Sequence, residues 1–367
     1  MVTARFHPYT GGTELHTREV STRLAAAGHA VTVLTTDPSG RLARAQDMDG
    51  FRVVRLRAWN ARADLHLAPG LYHTIVRGTW DIVHVQGYHT LVPPLAMLAA
   101  LRTRTPYVLT FHGGGHSSRL RHAGRGLQRR LLGPLLRRAA RLIALAGFEL
   151  VLFGDRLGIP RDRFVIIPNG TDLPAVTEST APPADGPIIA SVGRLERYKG
   201  HQRVLAAMPW ILRRQPDARL WIAGSGPYEA QLRRMASELG VAQHVDIRAI
   251  PPSERQALSN ELSRAALVVL LSEYETQPIA VLEALALGRP ALVADTSGLS
   301  ELAEKGLARA IPIRARPEQV AAAVLEQLRD PLLPREVHLP TWDECAARLE
   351  ALYAEVLGAT ASTARLG

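Results

Sequence analysis

The chain has 367 residues, 47% of them hydrophobic and 21% charged, which suits two ordinary domains with substantial cores and argues against disorder. A single cysteine, Cys345, leaves no disulfide framework and no thiolate metal site, and the 13 histidines are scattered without H-E-x-x-H spacing. The formal charge of +10 is carried almost wholly by arginine, since only Lys199 and Lys305 are lysine.

The opening segment, MVTARFHPYTGG, has no apolar run of the kind a signal peptide needs, so the chain is expected to be cytoplasmic. A first strand is read at Val2–Phe6, and Pro8-Tyr9-Thr10-Gly11-Gly12-Thr13-Glu14 follows it into a helix at Thr13–Ala27. Paired glycines let backbone approach a diphosphate, and a helix start offers free N–H donors; a plain tight turn would look the same. This is not the G-x-G-x-x-G fingerprint, which counts against a nicotinamide enzyme. Strands are read next at Ala30–Thr35, Ile82–Gln86 and Tyr107–Phe111. Between the last two lies a helix at Leu91–Leu101, too short for the roughly 18–20 residues that span a bilayer and interrupted by Pro93-Pro94. His112-Gly113-Gly114-Gly115 then stands at a strand end, where doubly wound sheets bind ligands, although a structural loop histidine would sit there equally well.

From Ile82 to Phe148 there are ten arginines and no acidic residue. Within this stretch Ser117–Arg141 mixes eight arginines with leucines. Two readings are open: leucines packed on the first sheet with solvated arginines, or peripheral contact with an acidic membrane. A strand at Arg141–Ala146, a helix at Phe148–Leu157 and a strand at Phe164–Ile167 complete the first half. Strands apolar on both faces and alternating with helices predict a parallel sheet covered on both sides.

Leu173–Pro187, rich in Pro, Ala, Ser and Thr, reads as a linker. The same alternation then resumes, with strands at Ile188–Gly193, Arg219–Ala223, Val245–Ile247, Leu267–Leu271 and Pro290–Ala294. Helices are read at Gln202–Arg213, Tyr228–Leu239, Ile279–Leu287 and Pro317–Leu328, with a last one at Trp342–Leu357. The fold class is therefore α/β, two Rossmann-like doubly wound domains facing a central cleft: 1–172, the linker 173–187, and 188–341. Arg194 and Lys199 flank one loop after the strand at Ile188–Gly193, and two cations there suit a departing diphosphate. Glu275 ends the loop after another strand, and Glu283 lies eight residues on, within an otherwise apolar helix. A buried carboxylate is costly unless paired or hydrogen-bonded, so Glu283 is expected to have a partner or a ligand, unless it is simply exposed.

In this order and spacing the motifs resemble the retaining glycosyltransferases of family 4, which have the GT-B fold. The carriers are the Gly11-Gly12 turn, His112-Gly113, Gly193-Arg194-x4-Lys199-Gly200, Glu275-x7-Glu283 and Ile166-Ile167-Pro168-Asn169-Gly170-Thr171-Asp172. The resemblance implies transfer of a sugar from a nucleoside-diphosphate sugar to an acceptor hydroxyl with retention of configuration. It puts Gly11, Gly12, Arg194 and Lys199 on the diphosphate and Glu283 on the ribose hydroxyls. Glu275 falls on the transferred sugar with the backbone of Thr276, Gln277 and Ile279 nearby, and His112 beside the sugar or acceptor. The catalytic set is then His112, Glu275, Arg194 and Lys199. No cofactor and no metal are expected, the two cations standing in for a divalent ion. The N-terminal domain would take the acceptor, with helix 342–357 packing back on it. Where the family often has glycine, this chain has Thr276, so the sugar pocket is expected to differ in shape.

The acceptor expected is a glycan, a glycolipid or a polyprenyl-linked sugar of a bacterial cell envelope, met at the inner membrane face. A nucleotide-sugar epimerase or a glycosyl phosphorylase of the same fold is the alternative. Nucleic acid is not expected, because the arginines lack interleaved aromatics for base stacking.

Overall fold

The computed structural model describes residues 1–9, 11–59, 65–113, 128, 130–155, 157–177, 186–251, 254–334 and 339–364, without the side chains of 361–364. The chain divides into two units: one holds Met1–Gly113, the stretch ending at Gly170 and everything from Pro340 on, the other Thr171–Leu339.

In the first unit β1 (Thr32–Asp37) pairs in parallel with β3 (Phe51–Arg57), and β2 (Ala45–Met48) closes that edge antiparallel. A second run, β4 (Val83–Gln86), β5 (Tyr107–Thr110), β6 (Arg141–Ala144) and β7 (Phe164–Ile166), is parallel throughout. Val2 joins the two runs by bridging Leu34 of β1 and Val85 of β4. The strand expected over Val2–Phe6 is thus only a bridge at Val2. Beyond it the carbonyls of Ala4 and Arg5 are taken by the hydroxyls of Thr36 (2.6 Å) and Thr3 (3.0 Å), and the chain leaves the sheet. The hairpin β2–β3 and the helix Pro69–Arg77 fill a region in which the sequence reading placed no element. The hairpin had a signal: Asp49-Gly50, with φ 48° and 84°, forms its two-residue turn.

Side chains of this unit form a main core, in which Phe111 stacks on Phe153 with ring centroids 4.0 Å apart, and a smaller cluster of Phe6, Val33, Phe51 and Val53. The helix expected at Phe148–Leu157 is instead a short turn, Gly147–Glu149, followed by wider π winding over Leu150–Asp155. The last helix runs Trp342–Ala364, longer than read, and packs on the helix Gly12–Ala26. Gly170 admits it: a Cβ there would lie 2.2 Å from the Trp342 nitrogen. Arg23–Asp343 (2.5 Å), His29–Glu350 (2.8 Å) and Arg141–Glu355 (2.5 Å) hold it along its length.

Among the described residues the second unit has six parallel strands, β8 (Ile188–Val192), β9 (Arg219–Ala223), β10 (Val245–Arg248), β11 (Leu267–Leu270), β12 (Ala291–Ala294) and β13 (Arg309–Ile311). Their order, β10-β9-β8-β11-β12-β13, reverses between β8 and β11. Loops leaving two adjacent strands in opposite directions open a crevice at their carboxyl ends, where ligands bind in such sheets. The helices Arg255–Ser263 and Ser297–Glu304 and the strand β13 were not foreseen. Residues 178–185 of the expected linker lie outside the described residues. Its first part is tied to the helix Arg255–Ser263, whose Ser259 hydroxyl donates to Pro174 O (2.7 Å) and whose Asn260 Oδ1 accepts from Thr177 N (3.1 Å).

Candidate functional site

β8 ends at Val192, and the loop that Gly193 opens carries both expected cations to the next helix. Gly200, at φ 81°, lets that loop press on the neighbouring strand end; a Cβ would stand 1.9 Å from Leu271 O. His201 secures the loop from beneath. Fully buried, it donates from Nε2 to Arg194 O (3.2 Å) and accepts from the Ser191 hydroxyl at Nδ1 (2.8 Å). Burial pulls its pKa down to about 4, so it serves as a neutral strut.

Lys199 Nζ donates to Glu275 Oε1 at 2.6 Å, and the Ser272 hydroxyl reaches the same oxygen at 2.7 Å. Burial alone would lower the lysine's pKa, but Glu275 beside it, helped by Tyr198, raises it. The ammonium is therefore retained, and its charge is spent on Glu275. Arg194, 44% exposed at its side chain, donates from Nη2 to the Tyr198 hydroxyl at 3.1 Å. Tyr198 is itself buried and lies under the Lys199 ammonium, 5.5 Å from ring centroid to Nζ, so one aromatic ring steadies both cations.

The loop holding Glu275 is braced from the next crossover. Glu275 N donates to the Ser297 hydroxyl (2.9 Å), and Gly298 N donates to Glu275 O (3.0 Å). Ser297 takes φ 44°, an uncommon conformation for a non-glycine residue, while Thr276 keeps a negative φ. Glycine at 298 is demanded by packing, because a Cβ would meet Thr276 O at 2.0 Å. Thr276 is buried, Gln277 half-buried, and Ile279 N donates to Gln277 O (3.0 Å) as the helix Ile279–Ala286 begins.

Glu283 lies in that helix with only 4% of its side chain exposed, and Arg255 Nη2 donates to its Oε1 at 2.7 Å. Burial raises its pKa, and Arg255 opposes the rise. Its other oxygen has no partner among the described residues. The sequence offered no sign of Arg255, since 28 residues separate it from Glu283. Tyr198, His201 and Ser272 were likewise not singled out.

In the first unit Gly11 is extended at φ 173°, a conformation open to any residue. A Cβ there would lie 2.5 Å from Glu14 Oε2, the end of a flexible side chain that can move aside, so neither backbone nor packing demands glycine at this position. Gly12 opens the helix Gly12–Ala26. His112 stands in a tight turn after β5, with Gly113 N bonded to Phe111 O (2.8 Å) and Nε2 2.6 Å from Gln86 Oε1. Gly114 and Gly115 lie outside the described residues. Beside His112 stands His16, ring centroids 4.8 Å apart, whose Nδ1 meets Asn169 Oδ1 at 2.7 Å.

Of the basic segment, 114–127 and Arg129 lie outside the described residues. Beyond them Leu132 and Leu136 are buried in the first unit's core, Arg141 pairs with Glu355, and Leu131 is 70% exposed. No helix among the described residues is long and apolar enough to cross a membrane. Among them, too, no three His, Cys, Asp or Glu side chains gather where one ion could be held.

Residues 10–174 match the profile of Glycosyltransferase Family 4, and residues 174–338 match that of Glycosyl transferases group 1. The chain is 29% identical to a glycogen synthase of Mycobacterium tuberculosis over 370 aligned positions, covering 90% of this chain and 86% of that protein. It is 26% identical to a phosphatidyl-myo-inositol mannosyltransferase of Mycolicibacterium smegmatis, covering 95% and 91%. A sucrose-phosphate synthase from Thermosynechococcus elongatus shares the fold at a TM-score of 0.73 and 20% identity, over 100% of this chain and 97% of that one.

Proposed function

This chain belongs to glycosyltransferase family 4 and transfers sugar from a nucleoside-diphosphate sugar to an acceptor, and we propose that its second unit holds the donor through Arg194, Lys199, Glu275 and Glu283. The observation that carries the reading is the buried Lys199–Glu275 pair at the point where the sheet order reverses. A diphosphate arriving there competes with Glu275 for the ammonium. Once Lys199 turns to the phosphate, Glu275 is released to accept from hydroxyls of the sugar, while Ser272 keeps it in place. Arg194, steadied by Tyr198, takes the other phosphate oxygens. As the bond to the sugar breaks, charge grows on the leaving oxygen, and two prepositioned cations stabilise it. Removing one such donor costs catalysis about 100- to 1,000-fold. The unpaired oxygen of Glu283 is left for the ribose hydroxyls, and the backbone of Thr276, Gln277 and Ile279 lines the sugar.

On the same reading the first unit takes the acceptor, with His112 near the reacting sugar and Gly11-Gly12 close to the donor, and the sugar is transferred with retention of configuration. Its relatives act on glycans and on phosphatidylinositol. We assign a glycan or lipid-linked acceptor, met on the cytoplasmic side with the segment 117–141 against acidic headgroups. Sedimentation with and without phosphatidylglycerol vesicles tests the membrane contact; equal behaviour with both removes it.

The donor assignment is tested by thermal shift with UDP-glucose, GDP-mannose and ADP-glucose, each against its nucleoside diphosphate. Lys199→Ala and Glu283→Ala are expected to lose the shift that the preferred donor gives, with the fold retained. Undiminished donor binding in both variants would overturn the assignment.

A further inference from the structure

The two ring nitrogens of His112 are not equivalent. Nε2 faces Gln86 Oε1 at 2.6 Å. A carboxamide oxygen only accepts, so Nε2 carries the proton and the neutral ring keeps its lone pair on Nδ1. The orientation of the amide is fixed by its other end, where Gln86 Nε2 donates to the Met1 sulfur at 3.4 Å; reversal would set oxygen against sulfur. Gln86 is buried, so solvent does not loosen the contact. Nδ1 has no partner among the described residues.

The neighbours of the ring keep it neutral. His16 meets it edge-on, His89 donates from Nε2 to His112 O at 3.1 Å, and His84 stands nearby, held by Thr110 (2.7 Å) and Tyr353 (2.5 Å). Burial first, then His16, His84 and His89, hold His112 well below the usual histidine value.

We propose that Gln86 locks His112 in the tautomer with a bare Nδ1, so that this position binds a hydroxyl of the sugar or acceptor and refuses a phosphate or carboxylate oxygen. A hydroxyl can donate to a lone pair. An ionised phosphate oxygen has no proton to give and meets it lone pair to lone pair. Gln86 is thus a positioning residue that sets ligand class through His112. The proposal rests on the reading that His112 faces the sugar or acceptor.

The test uses the full chain with 15N-labelled histidine, the His112 signals being assigned by their loss in His112→Asn. The wild type is expected to show a pyridine-type Nδ1 and a pyrrole-type Nε2 at neutral pH. Gln86→Leu should mix the tautomers, and Gln86→Glu, whose carboxylate also only accepts, should keep the tautomer while moving ring protonation to higher pH. A proton on Nδ1 in the wild type, or an unmixed ring in Gln86→Leu, overturns the lock. Methyl α-glucoside should move the Nδ1 signal and sulfate, which is fully ionised at neutral pH and can only accept, should not; a response to sulfate, or none to the glycoside, overturns the ligand class. Release of nucleoside diphosphate from the donor selected by thermal shift should fall about tenfold in Gln86→Leu, the cost of one misdirected hydrogen bond. Unaltered turnover in His112→Asn would instead remove His112 from the reaction, while the tautomer result would stand independently.

Discussion

Glu283 and Lys199 are both charged and both shielded from water, and each is kept so by a single opposite partner. Deleting one member of a buried pair leaves the other uncompensated, typically at about 3–5 kcal/mol. Arg255→Ala is therefore expected to destabilise the second unit by about that much and to weaken donor binding, with Arg255→Lys intermediate; urea unfolding and the donor-induced thermal shift measure the two effects. The histidines give a separate signature in pH. His16 and His201 are buried and bind their protons only near pH 4 when folded, against 6.5 in an open chain. The unfolded chain thus takes up more protons between these values, and stability falls as pH drops from 6.5 to about 4. At about 1.4 kcal/mol for each tenfold change in proton affinity, each imidazole contributes up to about 3 kcal/mol. Unfolding midpoints followed across that range should show the fall, shallower in His201→Asn; a flat profile would contradict it.

Among the elements, the loop between β8 and its helix depends most on one small residue. Gly200→Ala adds a methyl 1.9 Å from Leu271 O at a positive φ, so backbone must shift. Loss of the donor-induced thermal shift together with a lower melting temperature is expected, and an alanine variant that binds donor normally would refute this account of the loop. The sequence displayed much of this architecture, because a buried parallel strand is a short apolar run and the candidate residues follow such ends. All five strands read in the second unit are present, and Arg194, Lys199 and Glu275 lie on the loops leaving β8 and β11. Other features could not be read that way. Val2–Phe6 has strand composition but loses its ladder to threonine hydroxyls, and Ala45–Met48 is an exposed edge with no apolar alternation. Arg255 and Gln86 acquire their meaning from contacts 28 and 26 residues away, which no local pattern encodes.

At the scale of the whole molecule, each unit has its own core, and a change in one should spare the other's ligand. Trp342 is almost fully buried in the first unit, and its replacement by alanine typically costs about 3–5 kcal/mol. Trp342→Ala should therefore speed hydrogen exchange in the first unit while the donor-induced shift, assigned to the second unit in the proposed function, remains. Loss of that shift would mean that the units are not separable in this sense. The placement of Pro340 onward with the first unit has a further consequence for biosynthesis. The second unit is in effect an insertion within the first. A nascent chain halted near residue 340 would carry a finished second unit and a first unit still missing the helix that covers His84 and the Gly12–Ala26 helix. Completion of the first unit then waits for the ribosome to release that helix, so the part made first is the last to mature.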